Sequence, residues 1–343
     1  MGSGKIKFAI IGAGVIAPLH ARAIQLHPEA ELVAIVDSVM EKAQKLADEY
    51  SVPFIYEHID QLLQQCDVDA VCICLPSGLH SEVTIAAAEA GKHVLCEKPL
   101  DITLANMDGM IAACRNNNVK LATVFQKRTT ELAIQTRQAV KEGKLGKLVL
   151  GDAYLKYYRS PEYYKSADWR GTWEVDGGGA LMNQGVHGVD IIRWIMGDVD
   201  SVFAYAAPIV RDIEVEDTAV AVVRYKNGAF GVIQGATSVN PGQEPRFEIH
   251  GEHGSIIYAD SGIKLWKTLD GEEPPAASSE HKAEGSDNPQ AISEDGHYIL
   301  IDDLIHAIRE DREPLISGEE ARKSVELILA IYESARTGKE IKL

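Results

Sequence analysis

Ile6-Lys7-Phe8-Ala9-Ile10-Ile11-Gly12-Ala13-Gly14-Val15-Ile16-Ala17 is the stretch that decides the fold. An apolar run that stops at G-x-G-x-x-A and continues into a helix-compatible segment through Leu26 is the strand–turn–helix fingerprint of dinucleotide binding. Gly12 permits the tight turn, Gly14 lets the backbone approach a pyrophosphate, and small Ala17 lets the helix pack on the strand. The N–H groups at the helix start, at Val15 and Ile16, then face the anion. A second predicted strand, Leu32 to Val36, ends in Asp37, about 20 residues past the glycines. A carboxylate there accepts hydrogen bonds from both ribose hydroxyls and repels a 2′-phosphate. Ser38-Val39-Met40 supplies no cation for such a phosphate, so NAD is favoured over NADP.

The β/α alternation continues outward from this unit. Ala70 to Leu75 is a near-continuous apolar run, as expected of a parallel strand covered on both faces. It ends in Pro76-Ser77-Gly78-Leu79-His80, a turn into a predicted helix over 80–90. His93 to Cys96 ends in Glu97-Lys98-Pro99, followed by a helix from about Thr103 to Asn116 and a strand from Lys120 to Val124. Ligands of open α/β sheets bind beyond the carboxyl ends of the strands. Leu75, Pro76, Ser77, His80, Glu97, Lys98 and Gln126 fall at such ends and are candidate cofactor contacts. Pro99 restricts the backbone of Lys98, which favours a functional over a solvated role for that lysine.

The length of 343 residues predicts two domains, placed at 1–124 and 125–343, with the last helix able to pack back on the first. A formal charge of −17 repels a phosphate backbone and excludes nucleic acid as a partner. It leaves room for a small anionic ligand, because a few local cations and amide dipoles dominate a pocket. Cys66, Cys72, Cys74, Cys96 and Cys114 are odd in number and lie mostly in apolar runs, which points to reduced core thiols and a cytoplasmic location. No apolar run reaches ~18 residues, so no membrane association is expected.

The second informative stretch is Gly177-Gly178-Gly179-Ala180-Leu181-Met182-Asn183-Gln184-Gly185-Val186-His187. Residues four apart share a helix face, so an α-helix here presents Asn183 and His187 together, and the glycines ahead of it would let a ligand approach the backbone. Val186, Val189, Ile192, Ile195 and Met196 form the apolar face that anchors it.

Around this segment, 131–142 reads as a crossover helix and Leu148 to Tyr158 as a strand, followed by a loop over 159–173 dense in Arg, Tyr and Trp. Alternating segments from 200 to 266, with Asn227-Gly228 marking a hairpin, imply an antiparallel sheet whose free face could supply a dimer interface. Asp270 to Asp295 reads as a polar excursion, His250 and His253 as surface residues, and 297–309 and 319–336 as amphipathic helices.

Gly12-Ala13-Gly14, Asp37, Glu97-Lys98-Pro99 and the Gly177-to-His187 stretch together resemble the Gfo/Idh/MocA oxidoreductase family. The resemblance implies an N-terminal Rossmann domain, a C-terminal α/β domain on a large open, mainly antiparallel sheet, and assembly as homodimers or homotetramers through that sheet. It also implies oxidation or reduction of a sugar or cyclitol carbon, with Lys98 and His187 at the reacting oxygen. Asn183 is a departure, since many members carry Asp there. With Tyr157-Tyr158-Arg159, Tyr163-Tyr164 and Trp169-Arg170-Gly171-Thr172-Trp173, the run around Asn183 is similar to a subgroup that oxidises the 3-hydroxyl of a UDP-linked amino-uronic sugar with NAD. That likeness places Trp169 and Arg170 over the cofactor and makes Arg159, Tyr163 and Thr172 candidate substrate contacts. An inositol or simple-sugar dehydrogenase, or a non-catalytic NAD-responsive binding protein, are the alternatives.

Hydride loss from a secondary alcohol needs a base near neutral pH and positive charge beside the developing alkoxide. His187 is expected to take the proton, Lys98 to stabilise the alkoxide and Asn183 to orient the hydroxyl. The roles of Lys98 and His187 are exchangeable, because a lysine depressed by a neighbouring cation can also act as base. No metal is required.

Overall fold

The computed structural model describes residues 4–271, 273–274 and 295–343, so most of the expected polar excursion lies outside the described residues. The chain divides into two compact units, Met1–Gln126 with Ser293–Arg322, and Lys127–Ile292 with Lys323–Leu343.

The first unit runs β1 (Ile6–Ile11), α1 (Ala17–Leu26), β2 (Ala30–Val36), α2 (Met40–Tyr50), β3 (Phe54–Tyr56), α3 (Ile59–Gln65), β4 (Ala70–Ile73), α4 (His80–Glu89), β5 (His93–Cys96), α5 (Leu104–Asn116) and β6 (Leu121–Thr123). The strands lie in the order β3-β2-β1-β4-β5-β6, and every pair is parallel. This is the doubly wound arrangement, whose order reverses between β1 and β4 and opens a ligand crevice beyond their carboxyl ends. The physical cause is visible in the side chains: Phe8 to Ile11, Ala70 to Ile73 and Val94 to Cys96 are all buried, which only a sheet covered on both faces allows.

In the second unit, α6 (Glu131–Lys141) leads to β7 (Leu148–Lys156), the short α7 (Pro161–Lys165) and α8 (Val186–Met196). Then come β8 (Val199–Ala207), β9 (Thr218–Tyr225), β10 (Phe230–Ala236), β11 (Arg246–Gly251), β12 (Ser255–Ala259) and β13 (Gly262–Lys267). The eight-stranded sheet has the order β13-β12-β11-β7-β10-β9-β8-β14, closed at one edge by β14 (Ile341–Lys342). Its pairs are antiparallel except β7 with β10. Burial alternates residue by residue along β9, the mark of a sheet with one face covered. Gly188 of α8 sits against Leu155 of β7, and Gly151 of β7 against Met196, so glycines let helix and sheet come close on the covered face. On the other face Leu150, Tyr205, Val220, Val222 and Phe230 are exposed.

Two segments differ from the sequence reading. The expected loop over 159–173 contains α7, which Ser160 caps by accepting from the Tyr163 N–H at 3.3 Å while Pro161 fills the first turn. The segment that returns to the first unit is Ser293–Arg322, containing α9 (Asp295–Glu310) and only the start of α10 (Gly318–Thr337). Gly4 and Glu29 receive Arg309 from α9, and Asp302 receives His27. Ala122 of β6 pairs with Ser317.

Candidate active site

In the first unit the chain leaves β1 at Gly12 with φ +96°, a left-handed conformation that disfavours any side chain. A Cβ there would stand 2.6 Å from the Cys74 carbonyl oxygen, whereas above Gly14 the nearest atom is 4.0 Å away. The first glycine therefore serves the turn, and the space above the second is open. Asp37 caps β2 and spans the turn: Oδ2 accepts from the Ala13 N–H and Oδ1 from the Val39 N–H, each at 2.8 Å. Among the described residues no acceptor takes the N–H groups of Gly14, Val15 and Ile16, which precede α1. Exposed donors at a helix N-terminus fit a pyrophosphate.

Glu97 and Lys98 follow β5, and the Lys98–Pro99 peptide is cis. Glu97 is buried, and its Oε1 accepts from Nε2 of His20 on α1 at 2.8 Å and from Nε2 of His297 on α9 at 3.2 Å. Burial alone pushes its pKa up, but the two imidazole donors outweigh burial and hold it well below the usual carboxylate value. Burial pushes the His20 pKa down, so this imidazole is neutral and donates from Nε2. The three ligand-capable atoms lie within 4.8 Å of one another. Through these bonds the cluster supports the Glu97-Lys98 turn. Glu97 Oε2 also accepts the Lys98 N–H at 3.2 Å.

His80 completes this support. Its Nε2 stands 2.8 Å from the Leu75 carbonyl and its Nδ1 2.9 Å from that of Pro99, so the buried ring ties the Leu75-Pro76-Ser77 turn to the Lys98-Pro99 turn. That geometry gives His80 a bridging position where the sequence suggested a cofactor contact. Gln126 opens a 3-10 turn just after β6.

In the second unit the Gly177-to-His187 stretch is not α-helical throughout. Ala180–Gly185 forms a π-helical turn and α8 begins only at Val186, so Asn183 lies in a widened turn of the kind found at functional sites. The glycines also serve a different end from the one expected. A Cβ at Gly178 would collide with the Tyr332 hydroxyl, and one at Gly179 with the Glu216 carbonyl, so the glycines admit protein atoms. The Asn183 amide is fixed from both sides: Nδ2 donates to Asp176 Oδ1, and Oδ1 accepts from Gln184 Nε2 at 2.7 Å. Behind His187, Asp190 accepts a bidentate pair from Arg128, Nε to Oδ2 at 2.7 Å and Nη2 to Oδ1 at 2.6 Å, and a third bond from Ser324 at 2.6 Å. All three residues are buried, and planar, charge-assisted bonds of this sort fix α8 firmly.

The aromatic stretch forms one network with this segment. Gln184 Nε2 donates to the Tyr163 hydroxyl at 2.7 Å, which also accepts from Arg170 Nη1 at 2.5 Å. Arg159 Nε donates to Gln184 Oε1 at 3.0 Å. The Arg170 guanidinium lies over Tyr163 and Trp169, 4.4 and 4.6 Å from their ring centroids. Thr172 spends its hydroxyl on the Trp169 carbonyl, 2.7 Å away, inside its own turn. The sequence reading missed Asp176, Gln184, Glu216, Tyr332, His20 and His297. Asp176 and Gln184 carried a local signal, as polar residues flanking the glycines and Asn183; the others come from distant segments.

Comparison with known proteins agrees with this geometry. Residues 6–125 match the description of an oxidoreductase family with an NAD-binding Rossmann fold, and residues 134–257 match the GFO/IDH/MocA C-terminal domain. The chain is 35% identical to the WlbA dehydrogenase from Bordetella pertussis, solved with NADH and UDP-GlcNAcA, covering 99% of both chains with a TM-score of 0.89. For the Chromobacterium violaceum WlbA, also solved with NADH and UDP-GlcNAcA, the values are 34% identity, 100% and 97% coverage, and a TM-score of 0.88. The myo-inositol 2-dehydrogenase of Thermotoga maritima is 29% identical, covering 98% of each chain. A parallel Rossmann sheet with its N–H cradle, a mainly antiparallel sheet with the Asn183 turn and the His187 helix packed on it, and matches to both halves place the chain in the Gfo/Idh/MocA family of NAD-dependent oxidoreductases acting on sugar hydroxyls.

Proposed function

We propose that the chain oxidises the 3-hydroxyl of a nucleotide-linked amino-uronic sugar with NAD, with Lys98, His187 and Asn183 as its catalytic residues. The observation that carries this reading is the network of Arg159, Tyr163, Arg170 and Gln184 joined to Asn183. Arg159 bonds to Gln184 directly and Arg170 reaches it through the Tyr163 hydroxyl, so this network holds the charge that a uronate or diphosphate requires and an uncharged cyclitol does not. Both WlbA structures hold such a substrate with NADH.

Bound at the Gly14–Ile16 cradle, NAD supplies the acceptor for the hydride. The protein's part is to move the proton and stabilise charge. His187 takes the hydroxyl proton, the Lys98 ammonium stabilises the oxygen as it becomes anionic, and Asn183, fixed by Asp176 and Gln184, orients the hydroxyl. Asp37 reads the ribose; Val15, Ile16, Leu75, Pro76, Ser77, Gln126, Trp169 and Arg170 line the cofactor, and Arg159 and Tyr163 contact the sugar.

The exposed apolar face formed by Leu150, Tyr205, Val220, Val222 and Phe230 suits a homo-oligomer built sheet to sheet. Five free cysteines, four of them buried, suit a reducing cytoplasm. Among the described residues no helix is long and apolar enough to cross a membrane.

The test is a screen for NADH formation with UDP-GlcNAcA, UDP-GlcNAc and myo-inositol at matched concentrations. The proposal expects the uronate to give the highest kcat/KM. Preference for myo-inositol would replace it with the cyclitol reading, for which the Thermotoga relative stands.

A further inference from the structure

Glu216 and Tyr332 belong to no motif, yet both bear on the segment that carries Asn183 and His187. Glu216 lies just before β9 and is 2% exposed. Its Oε2 accepts from the Gly179 N–H at 2.9 Å, and its Oε1 from the Leu181 N–H and the Tyr332 hydroxyl, each at 2.8 Å. The Glu216 carbonyl accepts the Ala180 N–H at 3.0 Å, and the Tyr332 hydroxyl accepts that of Met182 at 3.2 Å. Four successive backbone donors, Gly179 to Met182, are thus taken by two residues. These are the N–H groups at the entry of a helical segment, which have no partner within it. Tyr332 comes from α10, where the Trp173 ring meets it edge-on at 5.3 Å. Other titratable groups around the pair are Tyr164, which senses the Glu216 charge, and Asp176, whose charge bears on Tyr332.

We propose that Glu216 and Tyr332 are positioning residues: together they set the backbone of Gly179 to Met182, and through it the direction in which Asn183 and His187 are presented. The inference rests on the assignment of those two residues to the reaction. It also explains Gly178 and Gly179, because Tyr332 and Glu216 can reach the backbone only where side chains are missing. Neither touches the reacting atoms in this account.

The test is amide hydrogen exchange on the full-length wild type, Glu216→Gln and Tyr332→Phe, read in a peptide covering 178–186, together with steady-state kinetics. Each variant should speed exchange in that peptide by at least about tenfold, Glu216→Gln because buried N–H groups lose a charged acceptor and Tyr332→Phe because the Met182 N–H loses its acceptor and Glu216 loses a donor. The strands β10 and β11 should exchange as in wild type. Turnover should fall with NADH affinity unchanged, and the primary isotope effect on the sugar C–H should rise, because a misdirected base slows the chemical step. A merely smaller folded fraction would lower turnover at constant isotope effect. Wild-type exchange in 178–186, acceleration spread evenly over the second unit, or a constant isotope effect would each overturn the proposal. Should Glu216→Gln not fold, Tyr332→Phe, which keeps the ring and loses one hydroxyl, carries the test. The exchange arm needs no turnover, so failure of the clamp and failure of the dehydrogenase reading are told apart.

Discussion

Replacing Asp37 with Ala separates the turn-ordering role of its carboxylate from the ribose contact proposed for it. The side chain accepts from Ala13 and Val39 at 2.8 Å each, so it orders the Gly12–Gly14 turn even without a ligand. In the proposed reading it also binds the ribose. A hydrogen bond to a charged acceptor contributes about 1.5–3 kcal/mol, and the half-exposure of this site brings the two together down to about 2 kcal/mol. That predicts a roughly 30-fold weaker Kd for NADH in Asp37→Ala. For NADPH the same disordering is offset by removal of a negative charge beside the 2′-phosphate, so selectivity for NADH should drop by about tenfold or more. Asp37→Asn, which retains an acceptor but no charge, should keep more of the NADH affinity and lose selectivity nonetheless. Fluorescence titration of both nucleotides at fixed ionic strength reads all three proteins. Equal weakening of NADH and NADPH would refute the ribose role and leave Asp37 as a turn-ordering residue alone.

Gly12→Ala puts a side chain at φ +96° and 2.6 Å from the Cys74 carbonyl. The left-handed conformation costs about 1–2 kcal/mol before the clash is counted, so NADH affinity should fall at least tenfold; a Kd within twofold of wild type would contradict the turn assignment. Asp190→Ala removes the carboxylate from a buried Arg128, which should cost about 3–5 kcal/mol by chemical denaturation, and a loss under about 1 kcal/mol would show that α8 is anchored otherwise. Burial pushes the Glu216 carboxyl up from 4.5 to about 6. Because the folded chain holds this proton more tightly, its stabilisation is complete below pH 4.5 and lost as pH rises through 6. Relative to Glu216→Gln, the wild type should therefore lose about 2 kcal/mol of unfolding free energy between those limits; a constant difference would refute the raised value.

The first unit was legible because each of its signals is local. A strand buried on both faces is an unbroken apolar run, and the glycines sit next to the strand they terminate. Asp37 and Lys98 stand out as candidates for the same reason, as polar residues at the ends of apolar runs. Ser160-Pro161 announced α7, as an N-cap followed by a first-turn proline. The aromatics around it outweigh that signal and read as a loop. The π turn could not be read, since a four-residue spacing suits both a π and an α turn. His20, His297, Glu216 and Tyr332 were invisible for a deeper reason: they act on Glu97 or Gly179–Met182 from segments up to 200 residues away, and nothing in their own neighbourhoods marks them. The composition of the glycine stretch points to a ligand, because the Glu216 and Tyr332 that fill the space lie elsewhere in the chain.

The most direct measurement is single-turnover appearance of reduced nicotinamide in wild type, Lys98→Met and His187→Asn, run beside an NADH titration of each. The account predicts that both variants bind NADH within about twofold of wild type and lose hydride transfer by 100-fold or more, on the order of a general base or a positioned charge. Transfer within a few-fold of wild type in either variant, at unchanged NADH affinity, would contradict it.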